Sequence, residues 1–109
     1  MIYEMRVYHC VPGHLPTLLK RFEDTTLGVW ERMGIRPAGF FTTVVGESNQ
    51  DLTYFLAWES LEERERVWGA FTKDPEWVAA RAAHIEKYGE VVAKVSNQFM
   101  APTAFSTVK

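Results

Sequence analysis

The chain has 109 residues, 47% apolar and 14% aromatic, enough for one domain with a sizeable core and too apolar for a disordered segment. Its 12 basic and 14 acidic residues leave a formal charge of −2 with no basic run, which argues against a nucleic-acid partner. No apolar stretch nears the roughly 20 residues of a membrane span, Glu4 and Arg6 interrupt any signal-like start, and the single Cys10 excludes an internal disulfide or a thiolate zinc cluster and suits a reducing, cytoplasmic setting.

Residues 2–9 read as the first strand. Period-two alternation puts Ile2, Glu4, Arg6 and Tyr8 on one face and Tyr3, Met5, Val7 and His9 on the other. The second set is expected beneath helices. Val11-Pro12-Gly13-His14 ends the strand. Leu15, Leu18, Leu19, Phe22, Thr26, Val29, Trp30 and Met33 then follow helical spacing, with charged residues opposite and Gly34 as the stop. Residues 38–46 are β-branched and aromatic and predict a second strand, whose Phe40/Thr42/Val44 and Phe41/Thr43/Val45 faces are equally eligible for the interior. Residues 47–51 connect it to a third strand at 52–59.

Ser60 with Glu63 predicts a capping box, and Asp74-Pro75 a second helix start, so the second crossover is two helical pieces bent near residues 72–74. Gly89 ends it, and residues 91–100 form the fourth strand. The order strand–helix–strand–strand–helix–strand predicts an α+β, ferredoxin-like βαββαβ plait: a four-stranded antiparallel sheet with its helices on one face, in a single domain over 1–109.

Helices on one side leave the other face bare. The third strand has large apolar groups on both faces, and Tyr54, Leu56 and Trp58 with Ile2 and Tyr8 are expected on the bare one. Such a patch marks an interface, so the chain is expected to pair as a homodimer through the open sheet face, closing a barrel between two sheets.

The candidate ligand-binding residues are Glu4, Arg6, Tyr8, Thr42, Tyr54 and Trp58. Arginine is a fork donor for carboxylates, glutamate a potential base, tyrosine a donor, and Tyr54 with Trp58 an aromatic wall. The competing reading is structural: Arg6 bridges Glu4 or Glu59, and the aromatics simply pack. His9, His14 and His84 lack metal-ligand spacing, so no metal or other cofactor is expected; His84 as a haem ligand is outweighed by an ordinary helix histidine. Cys10 has no readable Cys–His–acid arrangement, and no glycine-rich phosphate loop is present.

IYEMRVY at the start, GFFTTVVGESNQ in the middle, WESLEERERVW, DPEW and the ending FMAPTAFS resemble the NIPSNAP family over nearly the whole chain. The resemblance implies a dimeric α+β barrel built from two plaits. It transfers no catalytic residue. Animal relatives, linked to mitochondria, carry two such domains behind a targeting segment; one domain and no leader here imply a bacterial cytoplasmic protein. The expected function is binding of a small, partly apolar or aromatic molecule in the barrel. The alternatives are a cofactor-independent oxygenase or isomerase acting on a phenolic or enol substrate, and a protein-interaction scaffold.

Overall fold

A computed structural model describes all 109 residues. The elements are β1 (Ile2–Cys10), α1 (Leu15–Arg21), a π-helical turn (Phe22–Thr26), α2 (Leu27–Met33), β2 (Arg36–Thr42), β3 (Asp51–Trp58), α3 (Leu61–Thr72), α4 (Pro75–Tyr88) and β4 (Val92–Met100). The sheet is antiparallel in the order β2-β3-β1-β4, which is the expected plait.

Local chemistry sets most boundaries. Ser60 Oγ accepts from the Glu63 amide at 3.1 Å, while Glu63 Oε2 reaches back to the Glu59 amide. The Asp74 carboxylate caps α4 through the Trp77 amide and also accepts from Arg32. Gly34 ends α2 in the left-handed conformation that glycine adopts without strain. Gly39, at φ +125°, lies where the β2–β3 register shifts, between Pro37 and Phe40.

Two expectations change. The helix over 15–33 contains a π turn in its middle rather than running as one α-helix. The second strand starts earlier than expected and stops at Thr42; Val44 and Val45 are 94% exposed. Thr42 pairs with Leu52, so residues 43–50 must turn the chain, and β-branched side chains there have no neighbouring strand to pack on.

The largest correction concerns the two sheet faces. Arg6 lies opposite Tyr54, Glu4 opposite Leu56, Ile2 opposite Trp58 and Tyr8 opposite Leu52, so these residues do share one face. That face is roofed by the chain's own helices. Phe22 and Trp30 stand on Tyr54 with ring centroids 5.6 Å away, and the Arg6 guanidinium lies 4.4 Å from the Trp68 ring centroid. Tyr54, Leu56 and Trp58 are fully buried within the monomer. The face that the helices leave uncovered carries Tyr3, Met5, Val7, His9, Thr53 and Phe55 instead, and the C-terminal tail reaches only its Tyr3 end, where Tyr3 Oη donates to the Lys109 carbonyl.

Alternation decides which residues share a face but leaves the phase free. The phase adopted buries the larger apolar set, and apolar area removed from water is the dominant gain. The same contacts settle the second strand. Phe40 faces the helices, 5.4 Å from Tyr54, and Phe41 faces out beside Phe55.

Candidate functional site

Between sheet and helices lies a buried polar row. Glu4 is fully buried and accepts five hydrogen bonds: from Arg6 Nη1 at 2.9 Å, Trp58 Nε1 at 3.1 Å, Arg64 Nε and Nη2 at 3.2 and 3.1 Å, and Asn97 Nδ2 at 2.9 Å. Burial alone would raise its pKa, but the donors from Arg64, Asn97 and Arg6 outweigh it and hold the carboxyl below its usual range. Burial likewise opposes charge on Arg6, yet Tyr54, Tyr8 and Glu4 keep it firmly protonated. Arg6 Nε donates to Tyr54 Oη at 2.8 Å, and desolvation pushes the Tyr54 phenol well up, so it stays neutral. Glu4 is therefore an anion wholly engaged by donors. It is no free base for a phenolic or enol substrate.

The row runs on to Tyr8. The Tyr8 ring stands edge-on to Tyr54 at 5.4 Å and 5.5 Å from the Arg6 guanidinium carbon. Beyond it opens a cavity of about 170 Å³ lined by Tyr8, Arg21, Trp77, Arg81, Glu90, Val92 and Val95. Arg21 ends α1 at the π turn. Its Nε is buried without a hydrogen-bond partner, its Nη1 meets His84 Nδ1 at 3.5 Å, and its guanidinium carbon lies 5.7 Å from the Trp77 ring centroid. Neither Arg21 nor Arg81 forms an ion pair with a carboxylate. Burial and the nearby Arg81 lower the pKa of Arg21. Glu90 is the one carboxylate in the lining and partly offsets Arg21 from a distance, so the cavity holds two guanidiniums to one anion. Arg21 also borders a groove of about 440 Å³ between α1 and α4 that includes Lys20 and His84.

Of the six residues singled out in the sequence, Glu4, Arg6, Tyr54 and Trp58 meet in one network, Tyr8 adjoins it and lines the cavity, and Thr42 lies apart and exposed near the end of β2. The uncovered-face position expected for them is corrected to the helix-covered face. Sequence reasoning missed Arg64 and Asn97 of the network, and Arg21, Trp77 and Arg81 of the cavity. No local pattern marks them: Arg64 lies within the charged run 62–66, and Arg21 and Arg81 come together only when α1 and α4 pack. Cys10 is buried, and desolvation together with Asp51 raises its thiol pKa, so the thiolate is disfavoured. No group of three His, Cys, Asp or Glu is placed to hold a metal, and no helix is long and apolar enough to cross a membrane.

The plait with helices over one sheet face places the chain among ferredoxin-like α+β proteins. The NIPSNAP family profile matches residues 3–107, and the chain belongs to the NIPSNAP family. It is similar to an Agrobacterium tumefaciens NIPSNAP family protein with unknown function: 26% identity over 100% of this chain and 94% of that one, TM-score 0.86. A Burkholderia xenovorans NIPSNAP domain protein shares its fold at 24% identity, covering 97% of this chain and 98% of that one, TM-score 0.83. An antibiotic-biosynthesis-monooxygenase-type protein of Nitrosomonas europaea has the same fold at 5% identity, covering 93% and 97%, TM-score 0.62. Among curated proteins none matches the chain.

Proposed function

We propose that this NIPSNAP protein binds a small, partly aromatic carboxylic acid in the cavity beside Tyr8. The observation that carries the reading is Arg21: a half-buried guanidinium with a buried, unpartnered Nε, beside a second arginine, with Glu90 in the lining but not in ion-pair contact with it. A carboxylate supplies the charge and the acceptor that Arg21 lacks. Trp77, Tyr8, Val92 and Val95 supply apolar contact for the remainder of the molecule. The cavity is below the common ligand-pocket range of roughly 300–1,000 Å³, which favours a compact ligand. The Glu4–Arg6–Tyr54 network sits behind Tyr8 and fixes the wall the ligand meets.

The test is benzoate titrated by isothermal calorimetry against wild type, Arg21→Met and Arg81→Met. Saturable binding that weakens at least tenfold in Arg21→Met is expected, about 1.4 kcal/mol. No saturable binding, or equal affinity in wild type and both variants, would overturn it.

A second copy is the proposed cover of the uncovered sheet face. Strand rise and spacing make that face roughly 25 by 20 Å, about 500 Å² per copy before side-chain relief. The apolar groove under the C-terminal tail (Tyr3, Phe41, Phe55, Met100, Val108) lies on this same side and gives the contact an apolar portion. Light scattering at low micromolar concentration should read two chains, and Phe41→Glu with Phe55→Glu should give one. A single chain for wild type would remove the dimer.

A further inference from the structure

On the uncovered face, at the end of the sheet next to residues 43–50, three side chains from three strands stand in line. His9 Nδ1 is 3.0 Å from Asp51 Oδ1, and His9 Nε2 is 3.0 Å from Ser96 Oγ. The register explains the placement. His9 lies directly opposite Asp51 on β3, and Ser96 lies one diagonal step away on β4, where it pairs with Val7. Each ring nitrogen has one partner of distinct chemistry. A carboxylate only accepts, so Asp51 favours the Nδ1–H tautomer, in which Nε2 is the acceptor for the serine hydroxyl. A hydroxyl, an imidazole and a carboxylate in these roles are what acyl transfer requires, on whatever fold they occur. Within the single chain the histidine side chain is 35% exposed and the aspartate 20%, so the acid is the more shielded of the two.

We infer that Ser96, His9 and Asp51 form a nucleophilic triad that hydrolyses small uncharged carboxylic esters. The Ser96 Oγ bonds to the ester carbonyl carbon as its proton passes to His9 Nε2. The tetrahedral adduct then breaks its bond to the alcohol oxygen, which leaves with that proton and gives the alcohol and an acyl-Ser96. Water, deprotonated by His9, attacks the acyl carbon. Release of the carboxylic acid returns the proton to Ser96. Asp51 holds the imidazole orientation and offsets its charge during both steps.

Neighbours on the same face define the substrate class. Lys94 lies opposite His9 and two residues before Ser96, so its ammonium is the nearest cation on that strand for the developing oxyanion. Met5, Val7 and Thr53 continue the face toward the middle of the sheet, a strip suited to a compact apolar acyl group. Tyr3 lies six residues further along β1, roughly 20 Å away. The triad occupies the strand-end of the face, so a second copy seated on the sheet, as proposed above, would leave it at the rim of the contact rather than its centre. It is independent of the Arg21 cavity, which lies on the opposite side of the sheet.

The test uses the full chain in its native assembly. A fluorophosphonate probe is mapped by peptide mass spectrometry, and p-nitrophenyl butyrate turnover is measured for wild type, Ser96→Ala and His9→Gln. The inference expects the adduct on Ser96 and a loss of about 100-fold or more in both variants, the scale of a lost proton-transfer partner. A Glu31→Gln protein, altered at an exposed position of α2 on the helix side of the sheet, should retain wild-type turnover. Absence of an adduct on Ser96, or a Ser96→Ala protein that hydrolyses at the wild-type rate, would overturn it.

Discussion

Glu4→Gln lowers unfolding free energy by about 3–5 kcal/mol near neutral pH, the scale for breaking a buried ion pair by removing one partner. The substitution keeps the size but removes the charge that Arg6 and Arg64 share, leaving the Arg6 guanidinium under the Trp68 ring with no anion. The carboxamide also places an N–H₂ where Asn97, Trp58 and the arginines all donate, so one end of the new group has no acceptor. The pH dependence has a definite sign. The folded pKa of Glu4 is depressed, so its contribution is complete above the ordinary carboxylate range and disappears as pH falls through the lower folded value. Urea unfolding of wild type and variant at neutral pH and in acid checks both statements. The gap should close in acid, and a gap below about 1 kcal/mol at neutral pH would show that the network adds little. Replacing Glu4 and Arg6 together with apolar residues of similar volume should restore part of the loss, because the Arg6 charge goes with its partner and Arg64 keeps its ion pair with Glu65.

Trp30→Ala costs about 3–5 kcal/mol, the range for deleting a large buried aromatic. Trp30 is 1% exposed and packs against Phe22, Phe40, Tyr54, Trp68 and Phe71, with ring centroids between 5.5 and 6.3 Å. It joins α2, α3, β2 and β3 in one aromatic cluster, so the cavity left behind would be walled by rigid rings that relax poorly. Its indole Nε1 is buried with no hydrogen-bond partner. Trp30→Phe therefore removes an unsatisfied donor along with the volume and should cost well under half of the alanine variant. Denaturant midpoints for the two variants test this. Equal losses would mean that the indole's own edge and Nε1, rather than the ring volume that phenylalanine keeps, hold the cluster.

The plait was legible because each step rests on short-range chemistry. Ser60 and Asp74 cap helices through amides three residues away, and Gly34 stops α2 by its own conformation. Period-two spacing likewise placed Glu4, Arg6 and Tyr8 on one face and Tyr54 with Trp58 on one face, and the register joins the two sets. β2 was less legible because its β-branched continuation, Val44 and Val45, has no partner strand, a long-range fact that propensity does not contain.

The sites were less visible still. Arg64 comes from a helix sixty residues from Glu4, and Asn97 from a strand still further along the chain. His9, Asp51 and Ser96 have no motif spacing, since they meet through strand pairing alone. Arg21 falls among the charged residues opposite the apolar stripe of 15–33, and the approach of α4 is what leaves its Nε buried.

By itself the amino-acid order determined the succession of strands and helices, their caps and the grouping of side chains by face, because those depend on residues a few positions apart. Tertiary packing alone decided which face the helices cover, and so which charges are enclosed and which nucleophile is left in reach. That choice compares the apolar area of two whole faces, a sum over strands that no local stretch of chain contains.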